Sequence, residues 1–164
     1  MLPTTLQATL LERTLSFLDA AALKRAGNLA PAQQVPTHLA TGHAGEDAAF
    51  FHLMRKGYTV AARRWSAGHV PGDVDLIAWQ GETLCFIEVK TRTARDVTPA
   101  EAAVDDHKRN TLRKLARTYL RQLPRATVPA VRFDVMSVYL ASGRKPEIQH
   151  FEGAFGWDSE RQIR

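Results

Sequence analysis

The apolar residues of this chain change their period along its length, and the changes mark out elements. Leu6, Leu10, Leu11, Leu15, Leu18 and Leu23 recur at helical spacing and draw one apolar stripe over residues 5–26. Gly27-Asn28 follows as a helix stop. Residues 29–42 hold Pro31, Pro36 and Gly42 and no period, the pattern of a linker. Ala48, Phe51, Leu53 and Met54 then predict a helix over residues 44–56, closed by Gly57. Residues 58–65 are β-prone and begin a strand, and residues 68–72, with Pro71, predict a turn. Residues 73–79 and 83–91 predict two strands joined by a tight hairpin at Gln80-Gly81. Thr98-Pro99-Ala100-Glu101 matches a capping box with proline at the first helical position. The helical region it opens runs to about residue 123, with Asp105-Asp106 as the point where it would break. Leu112, Leu115, Ala116, Tyr119, Leu120 and Leu123 form its apolar stripe. Residues 131–140 predict a further strand and residues 148–151 a short edge strand.

The order is helix, three strands, helix, then one or two strands, which is an α/β domain over residues 42–164. Residues 1–41 are a helical extension and linker whose leucine stripe must pack on the domain or on another chain. About 120 residues suffice to bury a core without staples. A single cysteine, Cys85, excludes an internal disulfide and a cysteine zinc site. It stands in the apolar run Leu84-Cys85-Phe86-Ile87, where a small buried hydrophobe is expected. No apolar stretch approaches a membrane span, and Glu12 and Asp19 interrupt the N-terminus where a signal peptide would be apolar. The expectation is a cytoplasmic protein with no membrane partner. The net charge of +5 is compatible with a polyanionic partner but does not decide it.

Chemistry enters with Phe86-Ile87-Glu88-Val89-Lys90-Thr91. Alternation on a strand puts Glu88 and Lys90 on one face, and Cys85, Ile87 and Val89 on the apolar other. By itself a Glu-x-Lys pair is what a solvated strand face also shows. Gly72-Asp73-Val74-Asp75-Leu76-Ile77 changes the weight. Aspartate is depleted in strands because it competes for backbone hydrogen bonds, yet Asp75 enters a run of Val, Leu and Ile. Such a breach of local propensity is expected where function overrides stability. Asp73 is equally readable as a cap beside the turn. The hairpin lets Asp75 and Glu88 converge. Two close carboxylates repel unless a cation lies between them, and hard oxygen ligands favour Mg²⁺, with Mn²⁺ as substitute. The six histidines are scattered and form no zinc-type set.

These segments, with Gly45-Glu46 on the first domain helix, resemble the YraN-type family. That family of bacterial proteins is related to the archaeal Holliday-junction resolvases and other PD-(D/E)XK nucleases. The resemblance covers residues 42–155, including Val131-Arg132-Phe133-Asp134 and the tail from Ile148 to Phe155. It implies a restriction-endonuclease-like core: a mixed sheet flanked by the two helices, carrying the extra N-terminal helix. Asp75 matches the family's aspartate, Glu88 and Lys90 its (D/E)XK, and Glu46 its helix-borne acid. The family usually carries glutamate where this chain has Asp73, one methylene shorter, so Asp73 stays open as a ligand. The mechanism implied has Asp75 and Glu88 holding one or two Mg²⁺, with the backbone carbonyl of Val89 as an added ligand and Lys90 beside the attacking water and the phosphate. Glu46 is either an outer ligand, direct or through a water, or an acid that favours the helix dipole.

The substrate side is read from Lys108, Arg109, Arg113, Lys114, Arg117, Arg121 and Arg125, a run that no acid interrupts. A solvated face is the plain alternative, but the missing Glu and Asp argue against a salt-bridge-laced helix and for phosphate contact. Arg63, Arg64, Arg92 and Arg95 extend the track. Such contacts hold a backbone without reading bases, so binding is expected to be salt-sensitive. Aromatic residues are too sparse for base stacking as the main mode. Together these expectations describe a Mg²⁺-dependent DNA endonuclease, for branched or linear DNA, and the resemblance suggests a homodimer. The rival is a non-cleaving nucleic-acid-binding module on the same fold.

Overall fold

In the computed structural model the strands close up in chain order into one sheet. The structure describes residues 37–93, 104–124 and 129–157. The elements are α1 (Thr37–Arg55), β1 (Thr59–Ala67), β2 (Val70–Gln80), β3 (Thr83–Arg92), α2 (Asp106–Leu120), β4 (Ala130–Tyr139) and β5 (Glu147–Phe155). The sheet order is β1-β2-β3-β4-β5. All neighbours are antiparallel except β3 and β4, which run parallel because α2 lies in the connection between them. The sheet is therefore mixed, and among the described residues α1 covers one face and α2 the other. The expected N-terminal helix, most of the linker, the Thr98 capping box, Arg95 and Arg125 lie outside the described residues.

The two faces carry two cores. On one, Ala49 and Leu53 of α1 pack on Leu76, Ala78, Cys85, Ile87, Val89, Met136 and Val138. On the other, Leu112, Leu115 and Ala116 of α2 pack on Ile77, Leu84, Phe86 and Phe133. Each fully buried large apolar side chain contributes about 1.5–3 kcal/mol. Because β3 is central and covered on both faces, Leu84 to Val89 is buried throughout, Glu88 included. The α2 stripe faces the sheet as its spacing predicts. Trp65, Trp79 and Trp157 lie partly buried around the same core.

Three boundaries differ from the sequence reading, and a fourth falls where it was expected. Helix α1 begins at Thr37, so residues 37–42 are helix and not linker. A glycine at position 42 costs about 1 kcal/mol, too little to stop a helix anchored by Ala49 and Leu53. The turn before β2 is only Gly68-His69, and β2 takes in Val70, Pro71 and Gly72. Proline is tolerated there because this end of β2 pairs with β1 alone, next to a register shift between Trp65 and Ala67. Helix α2 starts at Asp106, where the break was expected, with the Asp105 carboxylate accepting the Lys108 N–H at 2.8 Å. Strand β5 is nine residues and not four. It continues through a bulge opposite Phe133 and Val135, where Gly153 adopts φ 64° and donates its N–H to Asp134. Beyond the bulge Phe155 stacks on Phe133 with ring centroids 5.0 Å apart.

Candidate functional site

The hairpin at Gln80–Thr83 sets the β2–β3 register, and the ladder runs from there to Leu76↔Ile87. The next pair would be Asp75 with Glu88, and there the strands part. Val89 N–H, left without a carbonyl from β2, donates to Asp75 Oδ2 at 2.6 Å. The aspartate that breaks strand propensity thus satisfies the backbone at the fork and aims its carboxyl group at β3.

Glu88 is only 3% exposed. Its Oε1 accepts from Lys90 Nζ at 3.0 Å, as their shared face predicts. Its Oε2 lies 3.0 Å from Lys108 Nζ, an ion pair that is not aligned as a hydrogen bond. Lys108 also donates to the Asp73 carbonyl at 3.3 Å and comes within 3.9 Å of the Asp73 carboxylate. Burial, then the charge of Glu88, pushes the Asp75 carboxyl pKa up to about 7, against the pull of Val89 N–H and Lys108. Burial alone would lower the Lys108 pKa, but Glu88, Asp75 and Asp73 more than offset it and hold the ammonium above its ordinary value.

Glu46 reaches the same region from α1 and adds to the field that raises Asp75, while its own carboxylate pairs with Arg64. Arg64 has a left-handed φ of 47°. This lets two adjacent arginines turn to α1, Arg64 onto Glu46 and Arg63 onto Asp47 and the Phe50 ring. The helix comes close enough because residue 45 is glycine. A Cβ there would lie 2.8 Å from both Thr91 Cβ and Cγ2, and closer still to Oγ1.

Asp75, Glu88, Lys90 and Glu46 are therefore brought together, and Val89 joins them through its backbone. Among the described residues no three Asp, Glu, His or Cys side chains converge on one point. Two carboxylates with a backbone carbonyl and waters are still a donor set suited to Mg²⁺, which keeps several waters and uses one or two carboxylates. The buried Oε2 of Glu88, with no aligned donor, and the mutual repulsion of Asp75 and Glu88 are what a divalent ion would relieve.

The basic run divides. Lys108 turns into the acidic cluster. Arg113 is buried, 6% exposed, with Nε donating to the Gly156 carbonyl and Nη1 to Asn110 Oδ1, both at 2.8 Å. It holds the chain just after β5 from a buried position, where the expectation was an exposed side chain turned to phosphate. Arg109 pairs with Asp106, and Arg109, Arg113 and Arg117 share one helical row whose guanidinium groups lie over Phe155 or Trp157. Lys114, Arg117 and Arg121 are exposed, while Arg92 is half-buried at the end of β3.

Sequence reasoning gave no role to Asp134, which is 0% exposed. It accepts from Arg132 Nε at 2.8 Å, Arg132 Nη2 at 2.9 Å and Gly153 N–H at 2.9 Å, and His150 Nε2 lies 2.9 Å from it. Burial alone would raise its pKa, but the bonds from His150, Arg132 and Gly153 hold it below the ordinary carboxylate value. Arg132 continues to the Tyr58 hydroxyl, Gln80 and Glu152. The signal was an aspartate between Phe133 and Val135, the same breach of strand propensity as at Asp75.

Sheet, flanking helices, acid at the fork and Glu-x-Lys on the central strand define a restriction-endonuclease-like α/β protein. The chain belongs to the uncharacterised protein family UPF0102, whose model matches residues 45–138. This is the YraN-type family of the restriction-endonuclease-like superfamily. The matched segment holds Glu46, Asp75, Glu88, Lys90 and all of α2, and ends within β4. A UPF0102 protein of Koribacter versatilis is 50% identical over 125 residues, 76% of this chain and 85% of that protein. One of Solibacter usitatus is 46% identical over 116 residues, 70% and 84% of the two chains. One of Rhodococcus opacus is 41% identical over 119 residues, 72% and 98%. No helix among the described residues is long and apolar enough to cross a membrane.

Proposed function

We propose that this chain is a metal-dependent endonuclease that hydrolyses phosphodiester bonds in DNA, using Mg²⁺ or, in its place, Mn²⁺. The observation that carries the reading is the meeting of Asp75 and Glu88 where β2 and β3 part, with Lys90 held 3.0 Å from Glu88. When bound, a divalent ion on Asp75, Glu88 and the Val89 carbonyl would supply a water of lowered pKa and polarise the phosphate. Lys90 is one-third exposed, so its ammonium is open to a phosphate while Glu88 fixes its direction. It offsets the charge that develops on the phosphate oxygens and orients the attacking water. Glu46 contributes once Arg64 releases it, and Arg64 is then free for a neighbouring phosphate. Exposed Lys114, Arg117 and Arg121 give α2 a cationic face for the DNA backbone.

The test uses labelled linear and four-way-junction DNA with Mg²⁺ or Mn²⁺. The unmutated protein cuts at least one of them, while Glu88→Ala and Lys90→Ala abolish cutting and keep binding. Lys114→Ala with Arg121→Ala weakens binding and makes the slope of log affinity against log salt shallower by about 1.8. Binding without cutting by the unmutated protein on every substrate would instead establish the non-cleaving module.

A further inference from the structure

Lys108 is used in a way that the endonuclease reading leaves unexplained. It occupies the first turn of α2, where the helix dipole disfavours a cation. Its stem is half-buried, with 25% of the side chain exposed, and its ammonium is directed into oxygens. Those are Glu88 Oε2 at 3.0 Å, the Asp73 carbonyl at 3.3 Å and the Asp73 carboxylate at 3.9 Å. Asp75 adds to the same field. A positive centre surrounded by carboxylate and carbonyl oxygens is what a hard metal ion also requires.

We propose that Lys108 is a built-in counter-ion that occupies the cation seat, so that a divalent ion binds by displacing its ammonium. This rests on the metal-dependent reading of the site. Glu88 and Asp75 cannot both stay charged and close in a buried site without a cation, and Lys108 supplies one. Glu88 Oε1 belongs to Lys90, so Oε2 is the oxygen for which Lys108 and the metal compete. Lysine suits the role because its charge rides on a four-carbon flexible stem and can leave without moving the helix. The metal would repel the ammonium out of the seat, and a substrate phosphate would attract it once it has left.

The test is Mn²⁺ titration by calorimetry into the full chain without nucleic acid, for the unmutated protein, Lys108→Met, Lys108→Gln and Glu88→Gln. A seat filled nine-tenths of the time weakens apparent affinity about tenfold. Both Lys108 variants should therefore bind Mn²⁺ about tenfold more tightly, and Glu88→Gln should bind it far more weakly. A second reading is thermal stability. In chelator the Lys108 variants melt below the unmutated protein, because Glu88 has lost a counter-ion, and saturating Mn²⁺ closes or reverses the gap. If the unmutated protein binds Mn²⁺ and the Lys108 variants bind it equally or more weakly, Lys108 does not occupy the seat. If none of the four binds Mn²⁺, the metal-dependent reading itself is lost, and this inference with it.

Discussion

Replacing Gly45 by alanine gives a test in which helix propensity and tertiary packing predict opposite signs. Gly45 lies in the middle of α1, where alanine is normally stabilising by about 1 kcal/mol. Here the added Cβ would stand 2.8 Å from Thr91 Cβ and Cγ2 and closer to Oγ1. Rotating the threonine about χ1 moves Oγ1 and Cγ2 but leaves Cβ, so the helix or the strand must give. Overpacking of this kind costs about 1–3 kcal/mol. Because it also forfeits contacts between α1 and β3, the net expectation is destabilisation of about 1–2 kcal/mol, or a melting point lower by about 2–8 °C in a chain of 164 residues. Urea denaturation checks it, read as a lower midpoint with unchanged slope. Thr91→Ala in the same chain removes two of the three crowded atoms and should recover at least about 1 kcal/mol in a double-mutant cycle. A Gly45→Ala protein as stable as its parent, or a cycle with no coupling, would refute the claim that this glycine sets how closely Glu46 approaches Asp75.

Two further outcomes follow from the buried acids. The Asp75 carboxyl is pushed up to about 7 from an ordinary value of 3.8, so between those values the folded state binds the extra proton. In chelator, stability should fall as pH rises from about 4 to about 7, and Asp75→Asn, whose amide oxygen can still accept from Val89 N–H, should flatten that fall. Denaturation midpoints at pH 5 and pH 8 decide it, and parallel pH profiles for the two proteins would count against the buried-acid account. Asp134→Asn removes the buried carboxylate on which Arg132, His150 and Gly153 converge, leaves Arg132 only its pair with the half-exposed Glu152, and should cost about 3 kcal/mol, the lower end for breaking a buried pair from one side. A melting point within a few degrees of the parent would mean that the network around Asp134 does not hold β5 in place.

Much of the fold was legible because each element advertises itself locally. The 3.6-residue stripe of α2, the hairpin glycine and the alternation of Glu88 and Lys90 against Ile87 and Val89 all depend on neighbours within a few residues. Asp75 and Asp134 were visible as breaches of strand propensity, although only the first suggested a role. The start of α1, the entry of Pro71 into β2 and the length of β5 were not legible. Each depends on what lies alongside: the packing of Ala49 and Leu53, a neighbour on only one side of β2, and a bulge that Asp134 holds open.

The basic run marks the division most sharply. Sequence alone determined that α2 is cationic and which of its residues face the core, since helical periodicity fixes angles around an axis. It could not determine what the remaining directions meet. Only tertiary structure decided that Lys108 enters the carboxylates of β2 and β3, that Arg113 secures the chain after β5, and that Lys114 and Arg121 stay in solvent. A charge takes its role from the groups within a few ångströms of it, and here those groups lie 20 to 43 residues away in the chain.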